Sequence, residues 1–423
     1  MKTFSSDEYA DRLRRVRLAM TEQGLDGCII TNPENIYYLT GLNHQGYFAY
    51  TSLIVPLDGE PGLITRAMEH AIVRDTVSGV RHVPYSDGID PLPQAAVPEA
   101  DVALAPPVLD ASSMSIGISV TEKVPSASDF DAPVDATCRL LTDLGLSSGK
   151  VAFERSSTYL PYRIADGFVS RMPHITWADA DGLVADCRSI QSPAELACTR
   201  QAAAISDAMI MAGIAMAGPG VREQDVMASI YQVMFQRDGT YPAFVPLVRS
   251  RGTISHEHGT WDRVGLHRRD LLFMEMAGCS QRYHAPIGRL TYIGGVSRDS
   301  ARIYQVALEA LYAAADALRP GTTAGAVYDA WQKVIDRAGL RHYHRHHCGY
   351  MVGIGFPPSW SGSGVPRGLR RGSDLVIRPG MVFHLMSWLL QTGRGDAFFS
   401  DTVTVTENGC EFLTRAPRDL MIR

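Results

Sequence analysis

Residues Leu271–Gly294 read LLFMEMAGCSQRYHAPIGRLTYIG, and this stretch decides the fold. It reads as two strands of a hairpin, with Glu275 inside the first and Arg289 inside the second. Leu271, Leu272, Phe273, Met274 and Met276 surround Glu275 with apolar side chains, the pattern of a buried strand. An ionised carboxylate there is costly unless it is paired or hydrogen-bonded, and burial raises its pKa. Two roles follow. Glu275 is a general acid/base or carboxylate nucleophile, or it is one half of a structural ion pair, for instance with Arg289. Arg289 is then either a clamp for a substrate carboxylate or the partner of a buried acid. Strand alternation points Tyr283 and His284 to opposite faces, so one of them faces a site on this sheet.

The domain boundary lies upstream. Ser192-Pro193-Ala194-Glu195 places Ser at an N-cap, Pro at the first helical position and Glu at N3. This capping box opens a helix to about Met216, stopped by Gly218-Pro219-Gly220. A second Pro-Gly joint, Pro320-Gly321, precedes another helix through Val327, Trp331, Val334 and Ile335, which suggests a duplicated helix–strand unit. Residues 1–187 alternate helix and strand: a helix over about Asp7–Gln23, then strands near Gly27–Ile30, Ser52–Pro56, Gly62–Thr65 and Val151–Glu154. Asn32-Pro33 reads as the turn that closes the first strand. Residues 89–136 are interrupted by prolines and read as a long excursion without sustained period. The expected domains are therefore 1–187, a smaller α/β unit, and 188–423, the catalytic unit, in an α+β chain.

With 423 residues, a net charge of -5 and mixed signs, the chain has no basic footprint for nucleic acid. No run of about 18 apolar residues marks a membrane span. The charged, amphipathic start argues against a signal peptide. Seven scattered cysteines without paired CxxC spacing argue against a disulfide framework or zinc knuckle, and a cytoplasmic location is expected. His342, His344, His346 and His347 form the most metal-like cluster. Alternation puts the first three on one strand face, where a solvated or strand-pairing row is the expectation.

The hairpin, with Gly349-Tyr350-Met351-Val352-Gly353, Pro379-Gly380-Met381-Val382-Phe383-His384 and Asp401-Thr402-Val403-Thr404-Val405, resembles the creatinase/aminopeptidase P "pita-bread" superfamily. The likeness is greatest to its ectoine hydrolases, through Met274–Cys279, Arg282-Tyr283-His284, Gly349-Tyr350, Phe356–Trp360 and the PGMVFH run. Metal-dependent members use Asp, a second Asp eleven residues on, His, Glu and Glu. The matching positions are Glu275, Pro286, Tyr350, Met386 and Ser400, which implies a scaffold run without metal or cofactor; Asp401, one residue away, is the position that could restore a carboxylate. The resemblance implies a hydrolase of C–N bonds in a small cyclic amidine or guanidino compound. Glu275 would be nucleophile or base and His258, in the Ser255–Asp262 segment, the proton shuttle, with His256 the competing assignment. Tyr350, His384 and Asp401 would hold polar ring atoms, and Trp261, Trp360 and Trp388 would supply apolar and cation–π walls. Tyr283, His284 and Arg289 complete the expected contacts. A homodimer is expected, in which the segment Asn43–Phe48 of one copy's N-terminal domain caps the other's site with Phe48. The alternatives are a metal-dependent Xaa-Pro dipeptidase or lyase of the same fold and a non-catalytic binding protein. Departures from the ectoine hydrolases include Arg378 before Pro379, Ser361–Gly364 and the Phe398–Asp401 approach to the last strand.

Overall fold

A computed structural model describes residues 4–86, 90–91, 118–119, 131–364 and 366–423. The chain divides into two compact units, Met1–Cys187 and Arg188–Arg423. Among the described residues no helix is long and apolar enough to cross a membrane.

The first unit is built on a six-stranded mixed sheet in the order Arg81–Tyr85, Gly62–Arg66, Ser52–Pro56, Gly27–Ile30, Gly149–Phe153, Ile175–Asp179. Its apolar core packs Ile29, Ile54, Ile64 and Val151 against Leu140, Leu141 and Phe168 from the helices. Asn32-Pro33 does not end in a turn. Asn32 caps a helix, Pro33–Thr40, with proline at its start, and the buried Glu154 carboxylate accepts from the Thr31 and Asn32 amides ahead of it. Of the expected excursion over 89–136, Asp90–Pro91 pairs antiparallel with Ile118–Ser119, and a helix begins at Asp131. The remainder lies outside the described residues.

The second unit carries a larger sheet in the order Gly349–Met351, Val382–Leu389, Ala397–Thr406, Tyr283–Tyr292, Leu271–Ser280, Leu247–Ser250; two short strands, Gly409–Phe412 and Met421–Ile422, add to Ala397–Thr406 and Tyr283–Tyr292. Two helix pairs cover one face of this sheet. Pro193–Met216 packs with Glu223–Gln236 and lies on the 271–292 hairpin; Arg298–Ala317 packs with Ala324–Arg337 and lies on the Val382–Thr406 strands. The Ser192 capping box is formed, with Glu195 Oε2 accepting from the Ser192 amide at 2.8 Å. The helix-covered face is apolar: Met274, Met276 and Ile287 under the first pair, Leu385, Phe399 and Val403 under the second.

The hairpin turn has an unusual sequence. Gln281 and Arg282 both take left-handed backbone, φ 49° and 64°, a conformation that two-residue turns usually give to Asn-Gly. Arg282 is held there from outside. It is fully buried between Tyr241 and Phe356, 4.3 and 4.5 Å from their ring centroids, and donates to the Tyr241 and Gly355 carbonyls.

Candidate active site

The open face of the catalytic sheet is set by register. Glu275 pairs with Gly288, Gly288 with Ser400, and Ser400 with Met386. Directly paired residues share a face, so these four form one row across the sheet. Pro286 lies two residues from Gly288, and Tyr350 pairs with His384, two residues from Met386. All five positions that the resemblance matches to metal ligands therefore gather on one face. Gly288 keeps the row open, since a Cβ there would collide with the Phe398 ring and Ser400 Oγ.

Glu275 stands at the floor of a cavity of about 400 Å³. Burial pushes its carboxyl up to about 7, an effect that Arg249 opposes. It is therefore divided between acid and carboxylate near neutrality, the condition for moving a proton in either direction. His384 is fully buried beside it, with Nε2 3.7 Å from Glu275 Oε1, beyond hydrogen-bond length. Burial, aided by His347, lowers the His384 imidazole to about 3, so it is neutral at ordinary pH.

A short chain of contacts orients that ring. Trp360 Nε1 donates to Tyr350 Oη at 2.9 Å, and Tyr350 Oη lies 3.1 Å from His384 Nδ1. An indole N–H only donates. Tyr350 therefore accepts from Trp360 and gives its own proton to Nδ1, which leaves the proton of neutral His384 on Nε2, directed at Glu275. Burial raises the Tyr350 phenol far above its ordinary value and keeps it a donor. Glu275 Oε1, His384 Nε2 and Ser400 Oγ are buried and have no hydrogen-bond partner among the described residues. Of these, Glu275 lines the cavity, and its unpaired oxygen is a receptor for a polar ligand, because burying such a group unpaired is costly.

The rim comes from irregular segments. His258 and Glu257 line the cavity from the loop after Leu247–Ser250, with the His258 ring 6.1 Å from that of Phe244. Glu257 bonds Arg345 at 2.7 Å, and this contact holds its carboxyl below the usual range. Arg345 lies 4.7 Å from the Trp388 ring centroid. His346 and His347 line the cavity but do not sit in a strand; the chain over 341–347 is turn and irregular structure, so the expected strand-face row does not form.

Other expected contacts lie elsewhere. Arg289 and Asp401 pair with each other at 3.1 Å on the helix-covered side, one residue out of phase with Gly288 and Ser400. Asp401 also takes Arg418 and Thr414, and Arg289 donates to the Ser400, Ala416 and Pro417 carbonyls. Neither side chain reaches the cavity, so Arg289 is no substrate clamp here and Asp401 does not restore a ligand. Trp261 packs against the core that contains Val226, Met227 and Met274, away from the cavity lining. Tyr283 donates to Glu195 Oε1 at 2.7 Å, at the helix start. His284 Nε2 accepts from the Ala243 amide at 2.9 Å, and burial lowers the ring to about 3, so it is a neutral structural histidine. Phe48, 74% exposed, belongs to the first unit. The cavity does gather Glu275, His258, Tyr350, Trp360 and Trp388, with His384 behind Tyr350. Sequence reasoning missed Arg249, Arg345 and Phe244. A charged residue at alternate spacing in the apolar run Leu247-Val248-Arg249 was the available signal for Arg249.

The donor set does not fit the dinuclear centre of the metallopeptidases. Of the five positions only Glu275 offers a carboxylate; proline offers no donor, and the others give a phenol, a thioether and a hydroxyl. Among the described residues no group of three or more His, Cys, Asp or Glu is placed to hold a metal ion.

Two family descriptions match the chain: the creatinase/prolidase N-terminal domain over residues 12–190 and metallopeptidase family M24 over residues 197–407. The ectoine hydrolase of Halomonas elongata is 27% identical, with 99% of this chain and 98% of that protein aligned. A probable dipeptidase PepE of Mycobacterium tuberculosis is 26% identical over 100% of this chain and 98% of its own length. Among solved structures, dipeptidase PepE from Mycobacterium ulcerans superposes with a TM-score of 0.77 at 23% identity, covering 99% of both chains. The prolidase from Pyrococcus horikoshii superposes with a TM-score of 0.75 at 20% identity, covering 97% of this chain and 100% of that one. The two domains and the curled, helix-backed sheet agree with these matches, and the chain is a member of the creatinase/aminopeptidase P superfamily, with a creatinase-type N-terminal domain and a pita-bread C-terminal domain.

Proposed function

We propose that this protein is a metal-independent hydrolase of a C–N bond in a small cyclic amidine or guanidino compound. The observation that carries this reading is Glu275, the one carboxylate among the five positions matched to metal ligands, buried and facing the unpartnered Nε2 of His384. The full-length likeness to an ectoine hydrolase supports the substrate class.

The reaction adds water to the amidine carbon: a C–O bond forms, one C–N bond breaks, and an amide and an amine result. In this reading the Glu275 carboxylate attacks that carbon or takes a proton from the water that does. His384, fixed by Tyr350 and Trp360, donates its Nε2 hydrogen bond to the reacting group. His258, exposed at the rim, passes a proton between the leaving nitrogen and solvent. Trp360 and Trp388 wall the cavity against the ring. A second copy of the chain completes the site through Phe48.

A metal-dependent dipeptidase is the second reading, favoured by the M24 match and the dipeptidase relatives. Mass-spectrometric turnover of ectoine, 5-hydroxyectoine, creatine and Xaa-Pro dipeptides, each with and without EDTA, separates the two. Ectoine or creatine opening that survives the chelator is the expected result. Dipeptide cleavage abolished by EDTA would replace this reading with the second, and full turnover by Glu275→Gln would remove the mechanism.

A further inference from the structure

Glu223 is a buried carboxylate that the proposed chemistry leaves unused. It opens the helix Glu223–Gln236, where a negative charge suits the helix start, and it is 1% exposed. Its two oxygens take one donor each. Oε1 accepts from Ser250 Oγ at 2.6 Å, and Oε2 accepts from the Asp262 amide at 2.7 Å. Ser250 ends the strand Leu247–Ser250, and Asp262 lies on the limb by which the chain returns. One side chain therefore joins the two feet of the segment 251–261. The returning limb is fixed to the same place by its backbone: Glu223 N–H donates to the Val264 carbonyl at 3.1 Å, Leu266 N–H to the Val221 carbonyl at 2.8 Å, and Gly220 N–H to the Leu266 carbonyl at 2.7 Å.

This segment carries Glu257 and His258 to the cavity. Residues 255–258 are exposed, so little packing holds them. Glu257 is anchored by Arg345. His258 has no such anchor: its ring makes no hydrogen bond or ion pair among the described residues and meets the Phe244 ring at 6.1 Å. Its place is therefore set by the backbone it stands on, which Arg249 supports through the His256 carbonyl and Glu223 fastens at both feet. Without that carboxylate, two buried donors lose their acceptor, and water serves them only if the feet part. We propose that Glu223 is a positioning residue for His258, holding the imidazole at the cavity rim by fastening both feet of segment 251–261. The catalytic consequence rests on the role of His258 in the proposed hydrolase, whereas the fastening itself does not.

Two substitutions separate the carboxylate's bonds from its charge. Glutamine offers an oxygen to the Asp262 amide and an NH2 group that the Ser250 hydroxyl can accept, so Glu223→Gln keeps both ties; Glu223→Met, of similar length, keeps neither. Limited trypsin digestion read by peptide mass should cut Glu223→Met after the exposed Arg251 or Arg263 at least about tenfold faster than wild type, and Glu223→Gln at the wild-type rate. In histidine NMR spectra the His258 signal, assigned by its loss in His258→Gln, should move or broaden in Glu223→Met while that of His384 stays. In steady-state kinetics Glu223→Met should lower kcat on the order of ten- to a hundredfold with little change in KM, and Glu223→Gln should recover most of it. Adding Glu223→Met to His258→Gln should cost nothing further, because both act through one imidazole. Equal cutting of wild type and Glu223→Met, an unmoved His258 signal, or losses that multiply in the double variant would overturn the proposal. Should Glu223→Met fail to fold, Ser250→Ala removes one tie and must show faster cutting and a moved His258 signal; wild-type behaviour there overturns the proposal equally. Absence of any C–N turnover in wild type would remove the hydrolase reading, and the digestion and NMR outcomes would still decide for or against the fastening.

Discussion

Replacing Glu275 with Gln should stabilise the catalytic unit, and more so as the pH rises. In the folded chain burial lifts this carboxyl from 4.5 to about 7. Below pH 4.5 it is protonated in both states and costs nothing as a charge. As pH rises from 4.5 to about 7, the unfolded chain ionises freely while the folded chain must either hold the proton or bury the charge. Stability is lost through that window and is flat above it. Integrated, the loss is about 3 kcal/mol at pH 8 and under about 1 kcal/mol at pH 5. Glutamine keeps the shape and removes the titration. The assay is urea unfolding of wild type and Glu275→Gln at pH 5, 6, 7 and 8, followed by tryptophan fluorescence, since Trp261, Trp331, Trp360 and Trp388 all lie in the catalytic unit. The variant should gain on wild type by on the order of 2 kcal/mol between pH 5 and pH 8. A gap that stays constant with pH, or shrinks, would refute the reasoning, because it would mean that the carboxylate is already paired in the folded state.

Three further outcomes are expected. Tyr350→Phe removes the proton that fixes His384, so kcat should fall on the order of ten- to a hundredfold with little change in KM; nitrogen NMR of labelled histidine should show His384 losing its Nε2–H preference. Asp401→Asn leaves Arg289 and Arg418 short of their anion and should cost about 3–5 kcal/mol in urea unfolding, while ligand affinity of the folded variant is unchanged; a selective loss of affinity would return Asp401 to the site. Tyr283→Phe should cost about 1–2 kcal/mol through Glu195, again with KM unmoved, which steady-state kinetics beside a melting curve would check.

Local rules made much of the fold legible. The Leu271–Gly294 apolar runs become the paired strands Leu271–Ser280 and Tyr283–Tyr292, and Ser192-Pro193-Ala194-Glu195 forms its capping box. Both depend on residues within a few positions of one another. Asn32-Pro33 was ambiguous at that range: the same dipeptide suits a turn or a helix start, and Glu154, far along the chain, caps the amides there. The site was legible only where the alternation of one strand carried it. Glu275, Tyr350 and His384 fall on one face because Glu275 belongs to the row through Gly288, Ser400 and Met386, and His384 sits two residues from Met386 and opposite Tyr350.

By itself the sequence determined strands, helix caps and the superfamily, because these are fixed by residue type, spacing and motif. Only the tertiary structure decided which phase of each strand faces the cavity. Period-two alternation separates two faces but does not say which one the helices cover, and that choice sent Arg289 and Asp401 to each other and left Arg249 beneath Trp388. It also decided the partners of irregular segments, such as Glu257 with Arg345 and Trp360 with Tyr350, because contacts between residues distant in sequence form only once the chain has packed.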